Sequence, residues 1–203
     1  MRQLRPILLL LAIAATAGTA LAQCPDLIEA DCGGGWAWFG LRHDGANVGQ
    51  GHTLTLPCDG APLSMEFQFR VTGNPNGGVP SMVTGDAINV VLMDMDDNHL
   101  MTATSTIPAD VFEGWIDFEF PEDMTVPAGM YRVVAYTTVP RQCSFAFCYQ
   151  QDVYDGGART ASLDGIAGPW FEYGDDAPFR FHVNSDSVPT RDRSFSSMKG
   201  MFR

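Results

Sequence analysis

The feature that most constrains this chain is an alternation of apolar and polar side chains with a period of two. It is clearest at residues 63–71, where five apolar positions alternate with Ser64, Glu66, Gln68 and Arg70. Successive side chains of a β-strand point to opposite faces, so this pattern is typical of a strand buried on one side. Similar alternation recurs at residues 52–56, 87–93, 115–120, 131–136 and 179–183.

Short stretches rich in Gly, Pro, Asn and Asp separate these segments, at residues 59–60, 73–78, 96–98, 127–129 and 155–157. These residue types favour turns, because glycine reaches positive φ and Asp and Asn bond to nearby backbone. After residue 22 no segment sustains a helical period, and only residues 108–112 are expected to form a helical turn. Many short strands between turns predict an all-β fold, a single antiparallel β-sandwich of jelly-roll type.

The N-terminus has the pattern of a secretory signal peptide. Arg2 and Arg5 precede an uncharged apolar run at residues 7–15, and residues 20–22 read Ala-Leu-Ala, a cleavage pattern. The apolar run is shorter than the roughly 20 residues that a membrane-spanning helix needs. We therefore expect residues 1–22 to be removed and the protein to be secreted, without a membrane span.

The remainder is predicted to hold one domain. Residues 23–44 are expected to be an N-terminal lead-in, residues 45–183 the β-sandwich, and residues 184–203 a basic, flexible C-terminal tail. The spacing of apolar residues in the tail also permits a short amphipathic helix on docking, so export or anchoring machinery is a candidate partner for it.

The charge of the chain between the signal peptide and the basic end of the tail argues against one class of partner. Residues 23–187 contain six arginines against 23 acidic residues, which are the 24 of the whole chain less Asp192, for a formal charge of −17. Such a surface repels phosphate backbones, which proteins bind through Lys and Arg. We therefore expect no nucleic-acid partner.

The chain has five cysteines, which fits an oxidising compartment where disulfides form. Because five is an odd number, one thiol is left without a disulfide partner in the chain. We favour one disulfide between Cys143 and Cys148 and another between Cys24 and Cys32, which leaves Cys58 free. The alternative joins Cys58 to the 143/148 region and would stabilise more, because the closed loop is longer.

The segment Asp94-Met95-Asp96-Asp97-Asn98 is a candidate calcium site. Alternating side-chain oxygens in a turn are what Ca²⁺, a hard cation with roughly 6 to 8 oxygen ligands, requires. The predicted ligands are Asp94, Asp96 and Asp97. The alternative is a hairpin turn, in which Asp and Asn are favoured by local hydrogen bonds.

A series of short motifs carries a resemblance to a known family. It comprises Gly49-Gln50-Gly51 with the strand after it, Trp115 with Phe118-Glu119-Phe120, Ala128-Gly129-Met130-Tyr131, Tyr154-Asp155-Gly156-Gly157, and Asp176 ahead of Phe179. In this order the series resembles the carbohydrate-binding-module-like jelly-roll domains of secreted bacterial proteins. The resemblance covers roughly residues 45 to 183 and implies a β-sandwich whose function varies among such domains.

Sugar binding by a β-sandwich needs aromatic rings for the apolar face of a pyranose and polar groups for its hydroxyls. The aromatic residues in or beside loops are Trp36, Trp38, Tyr154, Trp170 and Tyr173. Of these, Trp36, Tyr154, Trp170 and Tyr173 are the predicted ligand-binding residues. The alternative is that they pack within the fold.

Nothing in the sequence predicts catalysis. There is no G-x-S-x-G elbow, and His43, His52, His99 and His182 lie in no nucleophile motif. We therefore expect a secreted, non-catalytic module that binds glycan or cell-envelope material. A structural or adhesive module that binds a protein is the alternative, and a carbohydrate-active hydrolase is third.

Overall fold

The computed structural model describes residues 25–73, 78–121 and 124–184, which form twelve β-strands and no helix. The predicted signal peptide, Cys24 and residues 185–203 of the predicted tail lie outside these residues. The strands are β1 (Leu27–Ala30), β2 (Gly35–Leu41), β3 (Asn47–Leu56), β4 (Ala61–Val71), β5 (Ala87–Asp94), β6 (His99–Thr106), β7 (Phe112–Glu119), β8 (Gly129–Tyr136), β9 (Gln142–Phe147), β10 (Arg159–Ser162), β11 (Trp170–Glu172) and β12 (Phe179–Asn184). The all-β prediction is confirmed.

The strands pair antiparallel in one hydrogen-bonded network that has two halves. In the first sheet, β7 borders one edge of β4, while β12 and then β9 border the other; β1 extends β12, and β2 extends β9. The second sheet has the order β11-β10-β3-β8-β5-β6. The halves join where Gly40 and Leu41 of β2 pair with the start of β3.

A shared core lies between the two sheets, as a β-sandwich requires. The first sheet supplies mainly aromatic side chains, all fully buried: Phe39, Phe67, Phe69, Phe118, Phe145, Phe179 and Phe181. The second sheet supplies aliphatic ones: Leu54, Leu56, Ile88, Val90, Leu92 and Val133. Each such burial contributes about 1.5–3 kcal/mol, so the hydrophobic core holds the two sheets together.

The alternation at residues 63–71 forms β4 as predicted, with one exception. Met65, Phe67, Phe69 and Val71 are buried, but Leu63 is 39% exposed. The pairing of β4 with β12 shifts register at His182/Val183, which is a β-bulge or similar irregularity. Such a shift changes which residues face the core, so the alternation breaks at Leu63.

Two further expectations are corrected by the strand positions. The lead-in at residues 23–44 contains β1 and β2, so the sheet begins before residue 45. The helical turn expected at 108–112 does not form, because Phe112 already belongs to β7. The preceding loop is held by Asp110, whose carboxylate accepts hydrogen bonds from the backbone N–H and the hydroxyl of Thr84, each at 2.8 Å.

The predicted disulfide pairing is wrong. Cys32 bonds to Cys148, with 5.4 Å between their Cα atoms, and Cys143 is the free, buried cysteine. Antiparallel pairing of β2 with β9 brings the segment before β2 beside the end of β9. An extended strand separates residues 143 and 148 by roughly 17 Å, too far for a disulfide.

The favoured pairing leaves Cys58 with the free thiol, but in the structure Cys58 is disulfide-bonded. The alternative that joined Cys58 to the 143/148 region is also wrong, because Cys148 bonds to Cys32 and Cys143 is free. A predicted bond between Cys24 and Cys32 is excluded by the same Cys32–Cys148 bond.

Candidate functional site

Tyr154, a predicted ligand-binding residue, packs into the core instead of forming an open platform. Its ring lies edge-on to Phe179 and His52, with 5.3 and 5.7 Å between ring centroids. Its hydroxyl accepts a hydrogen bond from the N–H of Thr55 at 3.1 Å and is 3.3 Å from the carbonyl oxygen of Thr55. Burial raises the pKa of the Tyr154 phenol. Tyr154 therefore fastens its loop to β3.

Gly156 and Gly157, which follow Tyr154, allow the loop to pack closely against β3. A Cβ on Gly156 would collide with the Tyr154 ring, and one on Gly157 would collide with the carbonyl oxygen of Thr53. The hydroxyl of Thr55 donates to the Gly156 carbonyl at 2.7 Å. The Tyr-x-Gly-Gly motif of the resemblance is thus accounted for by close packing against β3.

Trp170 lies against the outer face of the second sheet. It packs with Ile166 and Tyr136 on a small apolar cluster of three buried residues, Val91, Met93 and Val134. The carbon of the Arg132 guanidinium stands 4.7 Å from the centre of the Trp170 ring, and Arg132 also forms an ion pair with Asp97. One ring face is therefore covered from within the fold, as in a packing residue.

Tyr173 is 40% exposed, but its ring is also stacked. The Arg159 guanidinium lies 3.8 Å from its centre and forms an ion pair with Asp175 at 2.8 Å. No ring contact joins Trp36, Tyr154, Trp170 or Tyr173 to one another in the described part of the chain. Trp36 belongs to β2 of the first sheet and Trp170 packs on the outer face of the second, so the four predicted residues do not form one site.

Two of the three predicted calcium ligands, Asp94 and Asp97, have side-chain partners at the turn between β5 and β6. Asp94 Oδ1 accepts hydrogen bonds from the N–H groups of Asp96 and Asn98, and Oδ2 accepts one from the Asn98 side chain. These hydrogen bonds, first that of the Asn98 side chain, lower the pKa of Asp94. Asp97 pairs with Arg132. Within the described residues no group of three or more His, Cys, Asp or Glu side chains is placed to hold a metal.

A different set of side chains comes together on the outer face of the first sheet. Trp38 of β2 pairs with Ser144 of β9, Ser144 pairs with Arg70 of β4, and Arg70 pairs with Glu113 of β7. Directly opposed residues of neighbouring strands point to the same face. Their side chains therefore form a row across four strands, and Trp36 shares this face because it is two residues from Trp38.

Trp38 is open to solvent and held in place. The Trp38 residue is 41% exposed. Its indole N–H donates to Oε1 of the buried Gln142 at 2.8 Å, and the Gln142 side-chain amide donates to the Val79 carbonyl at 3.1 Å. Gln142 therefore fixes the orientation of an exposed aromatic ring.

Two depressions adjoin Arg70 on this face. The smaller, of about 50 Å³, is lined by Trp38, Ser81, Ser144 and neighbours, and the larger, of about 360 Å³, by Val111, Phe112, Glu113 and neighbours. Arg70 and Thr72 line both. We call this region the Trp38–Arg70 surface, which comprises Trp36, Trp38, Arg70, Thr72, Glu113 and Ser144.

Residue type alone indicates Trp36 and Trp38 as candidates for the Trp38–Arg70 surface, but it does not indicate the polar residues of that surface. The alternation at residues 63–71 places Arg70 on the outward face of a strand, but its neighbours Ser144 and Glu113 come from strands more than 40 residues away in the chain. Only the strand order brings them together. Cross-strand neighbours of this kind leave no local signal.

No helix among the described residues has the length and apolar character to cross a membrane. No protein-family model matches the chain, and no curated protein matches it.

Proposed function

We propose that this chain is a secreted, non-catalytic module that binds glycan or cell-envelope material through the Trp38–Arg70 surface. The observation that carries the proposal is Trp38, an exposed indole held by a buried glutamine at the rim of a depression of about 50 Å³. Arg70 and Thr72 line this depression and also the larger one, of about 360 Å³. The Cys32–Cys148 disulfide supports an oxidising compartment and hence secretion.

The chemistry of this surface suits a sugar. The indole of Trp38 offers an apolar face to the C–H groups of a pyranose. Thr72 and Ser144 supply hydroxyls, Glu113 a hydrogen-bond acceptor and Arg70 several donors. Small-molecule pockets are commonly about 300–1,000 Å³, and the larger depression, at about 360 Å³, lies within this range.

A hydrolase function is less well supported than binding. Asp117 and Glu119 of β7 line another depression of the first sheet, of about 290 Å³. A glycosidase acid must stay protonated near neutral pH, and burial in an apolar pocket is the environment that favours this state. Both of these carboxylates are exposed. A structural or adhesive module that binds a protein remains the alternative to glycan binding.

A glycan array probed with the mature chain, followed by calorimetric titration of the best ligand, tests the proposal. Trp38→Ala should weaken binding at least about tenfold, because it removes the exposed ring. Tyr173→Ala is the matched control, since Tyr173 is equally exposed but lies outside the Trp38–Arg70 surface. Absence of any bound glycan, or an unchanged affinity in folded Trp38→Ala, would overturn the proposal.

A further inference from the structure

Arg70 differs from the other arginines of the described residues. Five of the six form an ion pair with a carboxylate within 4.0 Å: Arg42, Arg132, Arg141, Arg159 and Arg180. Arg70 forms none with any described residue. In a chain where acids outnumber bases 24 to 12, an arginine without a carboxylate partner needs a physical explanation.

The Arg70 guanidinium is held in position without being neutralised. Its central carbon lies 4.5 Å from the centre of the Trp36 ring, so stacking fixes one face of the group. Its Nε is buried and has no hydrogen-bond partner. The N–H groups of a guanidinium lie in its plane and match the two oxygens of a carboxylate or sulfate. The stack covers a face of the guanidinium and not the edge formed by its two terminal nitrogens, and Arg70 lines both depressions.

We propose that Arg70 binds an anionic substituent of the glycan, a carboxylate or a sulfate ester, with Trp38 stacking on the sugar ring. This inference rests on the proposed function and names its ligand class, acidic sugars. It also differs from what the overall acidity suggests, which is a preference for neutral ligands.

The overall negative charge of the chain does not determine whether the site at Arg70 prefers acidic or neutral ligands. Exposed charges farther away than about 8 Å are largely screened at physiological ionic strength. Of the acids near Arg70, the one opposite it on β7 is Glu113, which is exposed and does not form an ion pair with it. A two-oxygen contact with a half-buried guanidinium is stronger than the repulsion from one solvated carboxylate.

Arg180 is a matched control. Its guanidinium stacks on Trp115 at 4.2 Å, on the same sheet, but forms an ion pair with Glu66 at 3.2 Å. Both arginines thus lie on the first sheet, and each stacks on a tryptophan of its own. They differ in that Arg180 forms an ion pair with a carboxylate and Arg70 does not.

The test titrates the mature chain with three probes: a galacturonic acid oligosaccharide, its neutral methyl ester, and a sulfated galactan oligosaccharide of the same length. An acidic probe should bind at least about tenfold more tightly than the ester, and the advantage should shrink from about 0.05 to about 0.5 M NaCl. Comparison of the two acidic probes shows whether carboxylate or sulfate is preferred.

Variants locate the effect. Arg70→Gln should abolish the preference for the acidic probe, Arg70→Lys should retain only part of it, and Arg180→Gln should leave it intact. Glu113→Gln should strengthen binding of the acidic probe. Melting temperatures of all four variants show that they fold.

The outcomes separate the two proposals. Equal binding of acid and ester that still depends on Trp38 would overturn the role of Arg70 and leave glycan binding standing. An equal loss in Arg70→Gln and Arg180→Gln would also overturn it, because the effect would then reflect total charge. Failure to bind any of the probes or any array glycan would overturn both.

Discussion

Nε2 of His52 lies 2.8 Å from Oδ1 of Asp176, and both side chains are buried between the sheets. The other carboxylate oxygen of Asp176 accepts the backbone N–H groups of Val153 and Tyr154 at 2.6 and 2.8 Å. Nδ1 of His52 contacts the carbonyl oxygen of Thr53. One buried carboxylate therefore joins β3 to the loop that carries Tyr154, and we assign the His52–Asp176 pair a structural role.

This pair predicts acid sensitivity. Burial raises the pKa of Asp176, but the hydrogen bonds from His52 and from the two amides outweigh it, so the pKa falls below its ordinary 3.8. A carboxyl with a lowered pKa in the folded state stabilises above its unfolded pKa, and that stability is lost as pH falls through the folded pKa. The melting temperature should therefore drop below about pH 4.

Asp176→Asn should reduce this dependence and cost about 1–3 kcal/mol of unfolding free energy at pH 7, because the amide NH2 of asparagine replaces an oxygen that accepts buried hydrogen bonds. His182→Gln is the control. His182 makes a similar contact to Glu66, at 3.2 Å, but its side chain is 38% exposed, and an exposed pair contributes at most about 1 kcal/mol. Equal losses in chemical denaturation would contradict the structural role of Asp176.

The second prediction concerns the disulfide. Cys32 and Cys148 are separated by 116 residues in the chain, and crosslinking a loop of this length restricts the unfolded state by about 4–5 kcal/mol. The Cys32→Ser/Cys148→Ser double variant should therefore lose about 2–5 kcal/mol in urea denaturation.

Peptide mapping without reduction checks the pairing itself. It should recover Cys32 linked to Cys148, and Cys143 should be alkylated only after denaturation, because burial raises the pKa of its thiol. Recovery of a Cys143–Cys148 peptide would show that the pairing first favoured from the sequence is correct.

Alternation located β3, β4, β5, β7, β8 and β12. The burial itself alternates in β4, β7 and β12, whereas β3, β5 and β8 are buried on both faces over much of their length. Alternation missed β9, because Gln142 and Cys143 are adjacent and both buried, and it missed β10, in which all four residues are buried. Burial on both faces removes the period-two signal, and a polar side chain such as Arg159 gives no hint of burial.

The site was less predictable than the fold. Aromatic side chains drew attention to Trp170 and Tyr154 as readily as to Trp38, since residue type alone does not distinguish a stacked or buried ring from an exposed one. The edge strand β11, which begins at Trp170, and the loop that carries Tyr154 pack back on the sheets, whereas Trp38 lies on a strand whose outer face is open. That difference depends on contacts between distant segments.

The third prediction concerns calcium at the β5–β6 turn. Because both oxygens of Asp94 accept hydrogen bonds from the turn and Asp97 pairs with Arg132, we expect millimolar calcium and a chelator to give the same melting curve. Asp94→Ala should lower the melting temperature by a few degrees in either condition, because the turn loses its hydrogen bonds. If calcium raises the melting temperature of the original chain but not that of Asp96→Ala, the prediction is wrong and the turn binds calcium.

The last prediction separates Trp170 from Trp38. Trp170→Ala removes a half-buried ring from the apolar cluster of Val91, Met93 and Val134 and exposes the guanidinium of Arg132 on one side. We expect a loss of about 2–4 kcal/mol of unfolding free energy. Glycan affinity, measured at a temperature where the variant is folded, should stay within about twofold of the original, because Trp170 lies on the second sheet and the Trp38–Arg70 surface on the first. Trp38→Ala should show the reverse, with a small change in stability and a large loss of affinity. If Trp170→Ala instead folds normally and loses binding, the ligand surface lies on the second sheet and the assignment to Trp38 is wrong.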